Sequence, residues 1–458
     1  EGRGLGGGVE QLRTAYGDDP ERGFRMAWSS RDPGAAIGFS VWRRAGADRH
    51  ERVAAGDSVA YGIAERRQHS AGFLDPNEQY LLSARASGLE PDTDYVYAVG
   101  CTPRVSSSAH SRPTVRPEDC ISDLHLFTTA PPRGALPARR PMKVAIYGDM
   151  GVKNARSLPL LKSLAAAENI TAVFHVGDLA YDMHEDSGRR ADFFLEGISP
   201  VAANIPYHVC PGNHEHFWDF AEYRARFDAT MPNSGPGAMF HGFDLGPVHY
   251  VMFSSEVYFY TTRHGWGLAW EQHRWLRKHL AAVDRTRTPW LVTMAHRPMY
   301  CSPNDDLDDC HHRHSLVRDG VGPKWSGPFR NALGIEHLLQ EFKVDLHVGA
   351  HEHSYERTWP VYKNVVGAQG PGAYDALAGA DWLGSTVHLV AGAAGCREYT
   401  DRWMGKGKPF SAVRLNGYGF GLLTASSTSL DFEQIDHSTG DIVDRFTITK
   451  PADAFRRP

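Results

Sequence analysis

The sequence predicts an α/β chain whose mixed αβ part is preceded by an all-β domain. Three observations carry this. From about Phe24 to Thr129, short alternating segments follow one another with turn residues between them and no helical period. A proline-dense stretch from Pro131 to Pro141 then breaks the pattern, because prolines so closely spaced cannot join a central strand or a helix. Beyond it, short apolar runs alternate with amphipathic stretches, the texture of strands and helices in alternation. The expected organisation is therefore 1–130 as a β-sandwich, 131–141 as a linker and 142–458 as the αβ domain with closing strands.

In the first region, strands are expected at Phe24 to Trp28, Ile37 to Trp42, Ser58 to Ile63, Gln79 to Ala84, Tyr95 to Val99 and Leu124 to Thr128. The segment Leu89-Glu90-Pro91-Asp92-Thr93-Asp94-Tyr95-Val96-Tyr97 resembles the tyrosine corner of fibronectin type III-like domains. No group of side chains there is equipped for chemistry, so this region takes a structural or interaction role. In the αβ part, Leu158 to Asn169 and Trp270 to Val283 place apolar residues every three to four positions and read as helices. Gly421 to Ala425, Ser429 to Ile435 and Ile442 to Thr449 read as a closing antiparallel set.

Five apolar runs in the αβ part end in the same way. Lys143 to Tyr147 leads into Gly148-Asp149-Met150-Gly151, and Ala172 to Val176 into Gly177-Asp178-Leu179-Ala180-Tyr181. Tyr207 to Cys210 leads into Pro211-Gly212-Asn213-His214-Glu215, Trp290 to Met294 into Ala295-His296, and Val344 to Val348 into Gly349-Ala350-His351-Glu352-His353. Each reads as a buried strand that delivers Asp, Asn, Tyr or His at its carboxyl end, the edge of an α/β sheet where ligands gather. Singly, each such residue is as well explained by a cap, a turn or a satisfied core histidine. Together they describe a two-metal hydrolase whose candidate ligands are Asp149, Asp178, Tyr181, Asn213, His296, His351 and His353. In an extended segment, the alternation of His351 and His353 would serve two adjacent ions.

The chain of 458 residues is long enough for two or three domains, and 41% hydrophobic with 22% charged residues is ordinary for a globular protein. A net charge of -5 provides no basic footprint and argues against nucleic acid as a partner. No apolar run is long enough to span a bilayer. Glu1 to Gly8 carry neither a start methionine nor a signal peptide, as in a mature or trimmed form. Cys101 with Cys120, and Cys301 with Cys310, flank polar loops and read either as disulfide staples or as reduced surface thiols. Cys210 and Cys396 sit at strand ends and read as buried free thiols, and Asn169-Ile170-Thr171 is a glycosylation sequon. These features favour a secreted or extracellular, or a lysosomal or vacuolar, protein.

The ordered set Gly-Asp-x-Gly, Gly-Asp-x-x-Tyr, Gly-Asn-His-Glu, Val-x-x-x-His and His-x-His resembles the purple acid phosphatases, a branch of the calcineurin-like metallophosphoesterases. The span from Cys301 to Cys310 and the string His351-Glu352-His353-Ser354-Tyr355-Glu356-Arg357 are similar to the long, animal-type acid phosphatases of that family. The resemblance covers nearly the whole chain and implies a two-sheet αβ metallophosphoesterase sandwich behind the N-terminal domain. It implies a ferric site of Asp149, Asp178, Tyr181 and His353, and a divalent site for Zn, Mn or Fe of Asp178, Asn213, His296 and His351, with Asp178 bridging. A small phosphate monoester would be hydrolysed by attack of a metal-bound hydroxide. His214 would face the phosphate or its departing oxygen, or else only orient a ligand, and Glu215 would support the ligands from behind. Arg297 and Arg357 are open to phosphate contact or to ion pairs. The plant pattern has adjacent histidines in the loop after His296, whereas this chain has Asn304-Asp305-Asp306-Leu307-Asp308-Asp309. Histidines return only as His311, His312 and His314, which are the loop candidates for the leaving group. The alternatives are a phosphodiesterase or nucleotide pyrophosphatase using the same centre, and a non-catalytic metal-binding interaction protein.

Overall fold

The computed structural model describes residues 9–30, 38–44, 50–57, 59–62, 80–101, 115–138, 140–232, 234–261, 265–302, 310, 312, 314–320, 332–370, 372–375, 385–401, 403 and 407–451. The acidic stretch Asn304 to Asp309 and His311 lie outside the described residues.

The N-terminal strands form two antiparallel sheets packed face to face. One runs in the order Val9–Tyr16, Gly23–Ser30, Tyr80–Ser87, Val59–Gly62, and the other His50–Asp57, Gly38–Arg44, Asp94–Val99, His125–Thr128. Phe24, Trp28 and Leu82 from the first meet Phe39, Val41, Tyr97 and Phe127 from the second, and the Phe24 and Phe127 rings stack at 3.9 Å. The Tyr95 hydroxyl accepts a hydrogen bond from the Glu90 amide at 2.8 Å, the bond that makes a tyrosine corner.

Two of these strands, Val9–Tyr16 and His50–Asp57, are additional to the sequence expectation. The first hides its period because both of its faces are covered: Gln11, Arg13 and Thr14 are all buried. It lies against the helix Arg189–Ala202, where the Thr14 hydroxyl donates to the Ala202 carbonyl at 3.0 Å. Tyr97 donates to the Ala203 carbonyl at 2.6 Å, and the Leu126 amide to Asn204 Oδ1 at 2.9 Å. The sandwich is thus docked on the αβ part through satisfied polar groups inside an apolar contact.

The αβ part holds two sheets. The first has the order Tyr207–Cys210, Ala172–Val176, Lys143–Tyr147, Gly419–Ala425, Ser429–Asp436, Ile442–Thr449. Its first three strands are parallel, and the C-terminal strands extend them antiparallel, with Gly421 opposite Ile146. The second runs His241–Leu245, Val248–Met252, Trp290–Met294, Leu346–Gly349, Val387–Ala391, Tyr355–Thr358, Ser411–Leu415, with the four strands from Val248 to Ala391 parallel.

Apart from Lys143 at the start of its strand, these parallel strands are buried along their length, as sheets covered on both faces must be. Ile146, Phe174 and Val176 of one sheet pack on Tyr250, Met252, Val292 and Val348 of the other. The outer faces are covered by the helices Leu158–Ala166 and Arg189–Ala202 on the first sheet, and Gly267–Ala281 and Glu336–Glu341 on the second. Arg189–Ala202 has no counterpart in the sequence reading, because Gly197 and Pro200 interrupt its helical pattern. The architecture sets the carboxyl ends of the parallel strands of both sheets side by side, and the loops leaving those ends meet there.

Candidate metal centre

Asp149, Asp178, Tyr181 and His351 all have left-handed backbones, with φ of 57°, 51°, 54° and 68°. Such residues are unfavourable without surrounding support and cluster where side chains must be aimed. Two glycines make the close approach possible. A Cβ on Gly177, itself at φ 80°, would lie 2.4 Å from Nδ1 of His296, and one on Gly212 would lie 2.2 Å from Oδ1 of Asp178.

Two groups of donor atoms converge. In the first, Tyr181 Oη lies 2.8 Å from His353 Nε2 and donates to Asp149 Oδ1 at 3.2 Å, with Nε2 and Oδ1 3.5 Å apart. In the second, His296 Nε2 lies 3.0 Å from Asn213 Oδ1, 3.1 Å from His351 Nδ1 and 3.3 Å from Asp178 Oδ2. The Asp149 carboxylate ties the groups together by accepting from the His351 amide at 2.9 Å.

The tautomers suit cations. His296 Nδ1–H donates to the Val176 carbonyl and His353 Nδ1–H to the Tyr399 carbonyl, each at 2.9 Å. Each Nε2 is thereby left with its lone pair toward the cluster, the arrangement that second partners impose on metal-binding histidines. Two carboxylates, a phenol, an amide oxygen and three imidazole nitrogens facing one another are a donor set that fits two metal ions. The structure thus brings all seven expected side chains together.

The split between His351 and His353 differs from the expected alternation along a strand. His351 is left-handed and Glu352 and Ser354 donate to the Ala350 and Glu352 carbonyls, so a tight bend, not an extended segment, turns the two rings apart.

Glu215 lies behind the candidate ligands. Its Oε2 accepts from the Asp178 and Gly212 amides, each at 2.9 Å, and its Oε1 from the Leu179 amide at 3.0 Å. Burial, followed by the Asp178 charge, raises its carboxyl to about 7, while hydrogen bonds from the amides oppose the rise.

His214 stands over the ligands, its ring 4.5 Å from that of Tyr181. Its Nδ1 donates to Asp182 Oδ1 at 2.9 Å, and its Nε2 lies 3.8 Å from both Asp178 Oδ2 and Glu398 Oε1. Burial alone would lower its pKa, but the carboxylates of Asp178 and Asp182 raise it to about 9. Burial works against the charge of Asp178 too, yet His296, His214 and His351 hold its carboxyl well below the usual range.

Arg297 Nη1 lies 2.9 Å from His351 Nε2 while the guanidinium is paired with Glu256 at 3.1 Å, and Arg357 is paired with Asp444 at 2.7 Å on the far strand. Both arginines are therefore in ion pairs. His312 is exposed, with its carbonyl held by Arg318 at 2.9 Å, and His314 is half-buried; neither belongs to the two converging groups. Cys101–Cys120 and Cys301–Cys310 are disulfides, and Cys210 and Cys396 are buried thiols. The Cys301–Cys310 bridge packs on Glu352, between the two ligand histidines, with Cys310 Sγ 3.3 Å from Glu352 Oε1.

Residues that sequence reasoning passed over come chiefly from one loop. After the strand Val387–Ala391 the chain turns through Gly395, and Cys396, Arg397, Glu398, Tyr399 and Asp401 all border the centre. The Cys396 amide donates to the Asp149 carbonyl at 2.7 Å, Arg397 pairs with Asp182 at 2.7 Å, and Asp401 accepts from the His353 amide. The signal was present: His388 to Ala391 is a sixth buried strand ending in a glycine turn at the same edge.

The comparisons with known proteins agree with this geometry. Residues 142–355 match the calcineurin-like phosphoesterase model, residues 9–114 the purple acid phosphatase N-terminal domain and residues 385–445 the iron/zinc purple acid phosphatase-like C-terminal model. The chain belongs to the purple acid phosphatase family of calcineurin-like phosphoesterases, and it is a phosphoesterase hydrolase. It is 40% identical over 314 residues to mouse acid phosphatase type 7, covering 68% of each chain. It is 30% identical over 424 residues to a probable inactive purple acid phosphatase of Arabidopsis thaliana, covering 83% of this chain and 59% of that one. Its fold is shared with a purple acid phosphatase from yellow lupin seeds, with a TM-score of 0.71, 24% identity and coverage of 97% of this chain and 74% of the other. Among the described residues no helix is long and apolar enough to cross a membrane.

Proposed function

We propose that the chain hydrolyses small phosphate monoesters at a dinuclear centre, with 142–458 as the catalytic unit and 1–130 as a non-catalytic one. The observation that carries this reading is the convergence of two groups of lone-pair donors directly beneath His214. Asp149, Asp178, Tyr181 and His353 would hold ferric iron, since hard carboxylate and phenolate oxygens suit Fe(III). Asp178, Asn213, His296 and His351 would hold Zn, Mn or Fe in the divalent state. When bound, the pair supplies Lewis acidity toward water and the phosphoryl oxygens.

The remaining work falls to this chain's own residues. Asp182 accepts the Nδ1 proton of His214 and so fixes the ring with Nε2 over the centre. The Asp182 carboxylate on Nδ1 favours the doubly protonated ring, which then presents an Nε2 proton toward the centre. That proton is available to the departing oxygen, and its value grows as the leaving group becomes more basic. The burial of Asp149, Asp178 and His296 keeps bulk water from the ligands. The two disulfides, together with the exposed sequon at Asn169, support a secretory or lysosomal location.

The test is metal analysis of the purified protein combined with hydrolysis of p-nitrophenyl phosphate against its bis-ester. Monoester preference on the acid side of neutrality with about two ions per chain is expected. Preference for the bis-ester would favour a phosphodiesterase. Absence of both metal and hydrolysis would leave a non-catalytic protein.

A further inference from the structure

The surroundings of His214 hold one charge for which binding a phosphate gives no reason. The Glu398 side chain is 48% exposed, and its Oε1 lies 3.8 Å from His214 Nε2. The two carboxylates beside it are closely paired, Asp182 with Arg397 at 2.7 Å and Glu185 with Arg190. Arg397 reaches Glu398 only through Nε at 3.9 Å, while its two Nη groups serve Asp182 and Glu185. Glu398 is therefore the least closely paired of the three, and it stands beside the ring nitrogen that faces the centre.

A carboxylate in that place repels a phosphate dianion, unless the leaving group brings a compensating positive charge. Distance decides which part of a substrate feels it. A departing oxygen that accepts from Nε2 at about 2.8 Å lies no more than about 6.6 Å from Glu398 Oε1, the two separations laid end to end. An ammonium two carbons beyond that oxygen can close the gap to contact. A carboxylate on a leaving group of the same length meets like charge instead.

We infer that Glu398 is a charge filter for the leaving group, so that phosphate monoesters of amino alcohols are hydrolysed in preference to monoesters whose alcohol carries an anion. The inference rests on the phosphomonoesterase reading, in that His214 faces the departing oxygen. Glu398 acts as a specificity-determining residue, through attraction of one class and repulsion of the other. Exposed charge pairs change affinity by about threefold, so the two effects together span about tenfold.

The experiment compares three monoesters of similar length, O-phosphoethanolamine, 2-hydroxyethyl phosphate and phosphoglycolate, on the metal-loaded enzyme at low ionic strength. Glu398→Gln should cut the ratio of kcat/KM for phosphoethanolamine to that for phosphoglycolate about tenfold, with 2-hydroxyethyl phosphate shifting by an intermediate factor. Glu398→Lys should lower the ratio further. Taking the ratio within each variant cancels any common effect that the substitution has through His214. In the wild type the ratio should shrink as salt rises from about 0.01 M to about 1 M. Glu433→Gln is the control for loss of one negative charge, since Glu433 lies on the C-terminal strand Ser429–Asp436 and pairs with Arg445 at 2.7 Å. Calorimetric binding of the uncleavable 2-aminoethylphosphonate and 3-phosphonopropionate should show the same shift in ratio, which reads the filter apart from catalysis. A ratio unchanged in Glu398→Gln, shifted as much in Glu433→Gln, or insensitive to salt would overturn the proposal. Failure of both phosphonates to bind the metal-loaded protein would overturn the phosphomonoesterase reading beneath it, and the filter with it.

Discussion

Replacing Glu215 with glutamine keeps the shape of the side chain and removes only one acceptor oxygen and the charge. In the wild type, Oε2 accepts from two main-chain amides and Oε1 from one, all within 3.0 Å and all buried. Glutamine must direct an NH2 group at one of these donors at least. The less damaging orientation aims it at the Leu179 amide, leaving one buried N–H unpaired at a cost of about 1–3 kcal/mol. The bonds to the Asp178 and Gly212 amides survive but lose their charge assistance, about 1 kcal/mol each. The sum is about 3–5 kcal/mol, concentrated on the turns that carry Asp178 and Asn213. Urea unfolding of the metal-loaded protein at pH 8, above the value of about 7 to which burial raises Glu215, should show a lower midpoint. Metal analysis should show loss from the site of Asp178, Asn213, His296 and His351 before the other. A Glu215→Gln protein with the wild-type midpoint and full metal content would refute the claim that this carboxylate joins the two ligand loops.

Other predictions concern distinct parts of the molecule. Tyr97→Phe leaves the buried Ala203 carbonyl without its donor and should cost about 1–3 kcal/mol in urea unfolding, with earlier proteolysis in the 131–141 stretch; unchanged unfolding would mean the docking contact is purely apolar. Burial holds His347 down to about 3, below its unfolded value of 6.5, so it is neutral in the fold and stability is lost as pH falls from 6.5 toward 3, at about 1.4 kcal/mol per pH unit. His347→Leu should flatten the acid limb of the stability profile by that slope, and an unaltered slope would count against a neutral buried imidazole. With ferric iron bound, the protein should be pink to violet through Tyr181, and Tyr181→Phe should bleach it while Asp149, Asp178 and His353 retain the iron; a colourless wild type containing ferric iron would sink the assignment.

Much of the site was legible because its residues are written next to features that sequence displays well. Asp149, Asp178, Asn213, His296 and His351 each follow a run of apolar residues, and in a parallel sheet covered on both faces such a run can hardly be anything but a strand. Where burial follows tertiary contact instead, the pattern fails. Val9–Tyr16 carries Gln11, Arg13 and Thr14 into the interior because another domain's helix lies over it, and Arg189–Ala202 keeps its helix through Gly197 and Pro200 by packing on the sheet. The surroundings of His214 were equally hidden. Asp182, Arg397 and Glu398 meet around His214 although Arg397 is 215 residues from Asp182 along the chain.

By itself, the sequence determined which strands deliver the candidate ligands and the order in which they do so, since both depend on local hydrophobic runs and the turns that end them. Only the tertiary structure decided which sheet each strand joins, which carbonyls hold the Nδ1–H groups of His296 and His353, and what stands over the centre. Those depend on left-handed turns at Asp149, Asp178, Tyr181 and His351, and on carbonyls and carboxylates supplied by distant loops. Hydrophobic periodicity carries no record of either, because a side chain's direction is set by the neighbours that pack and hydrogen-bond around it.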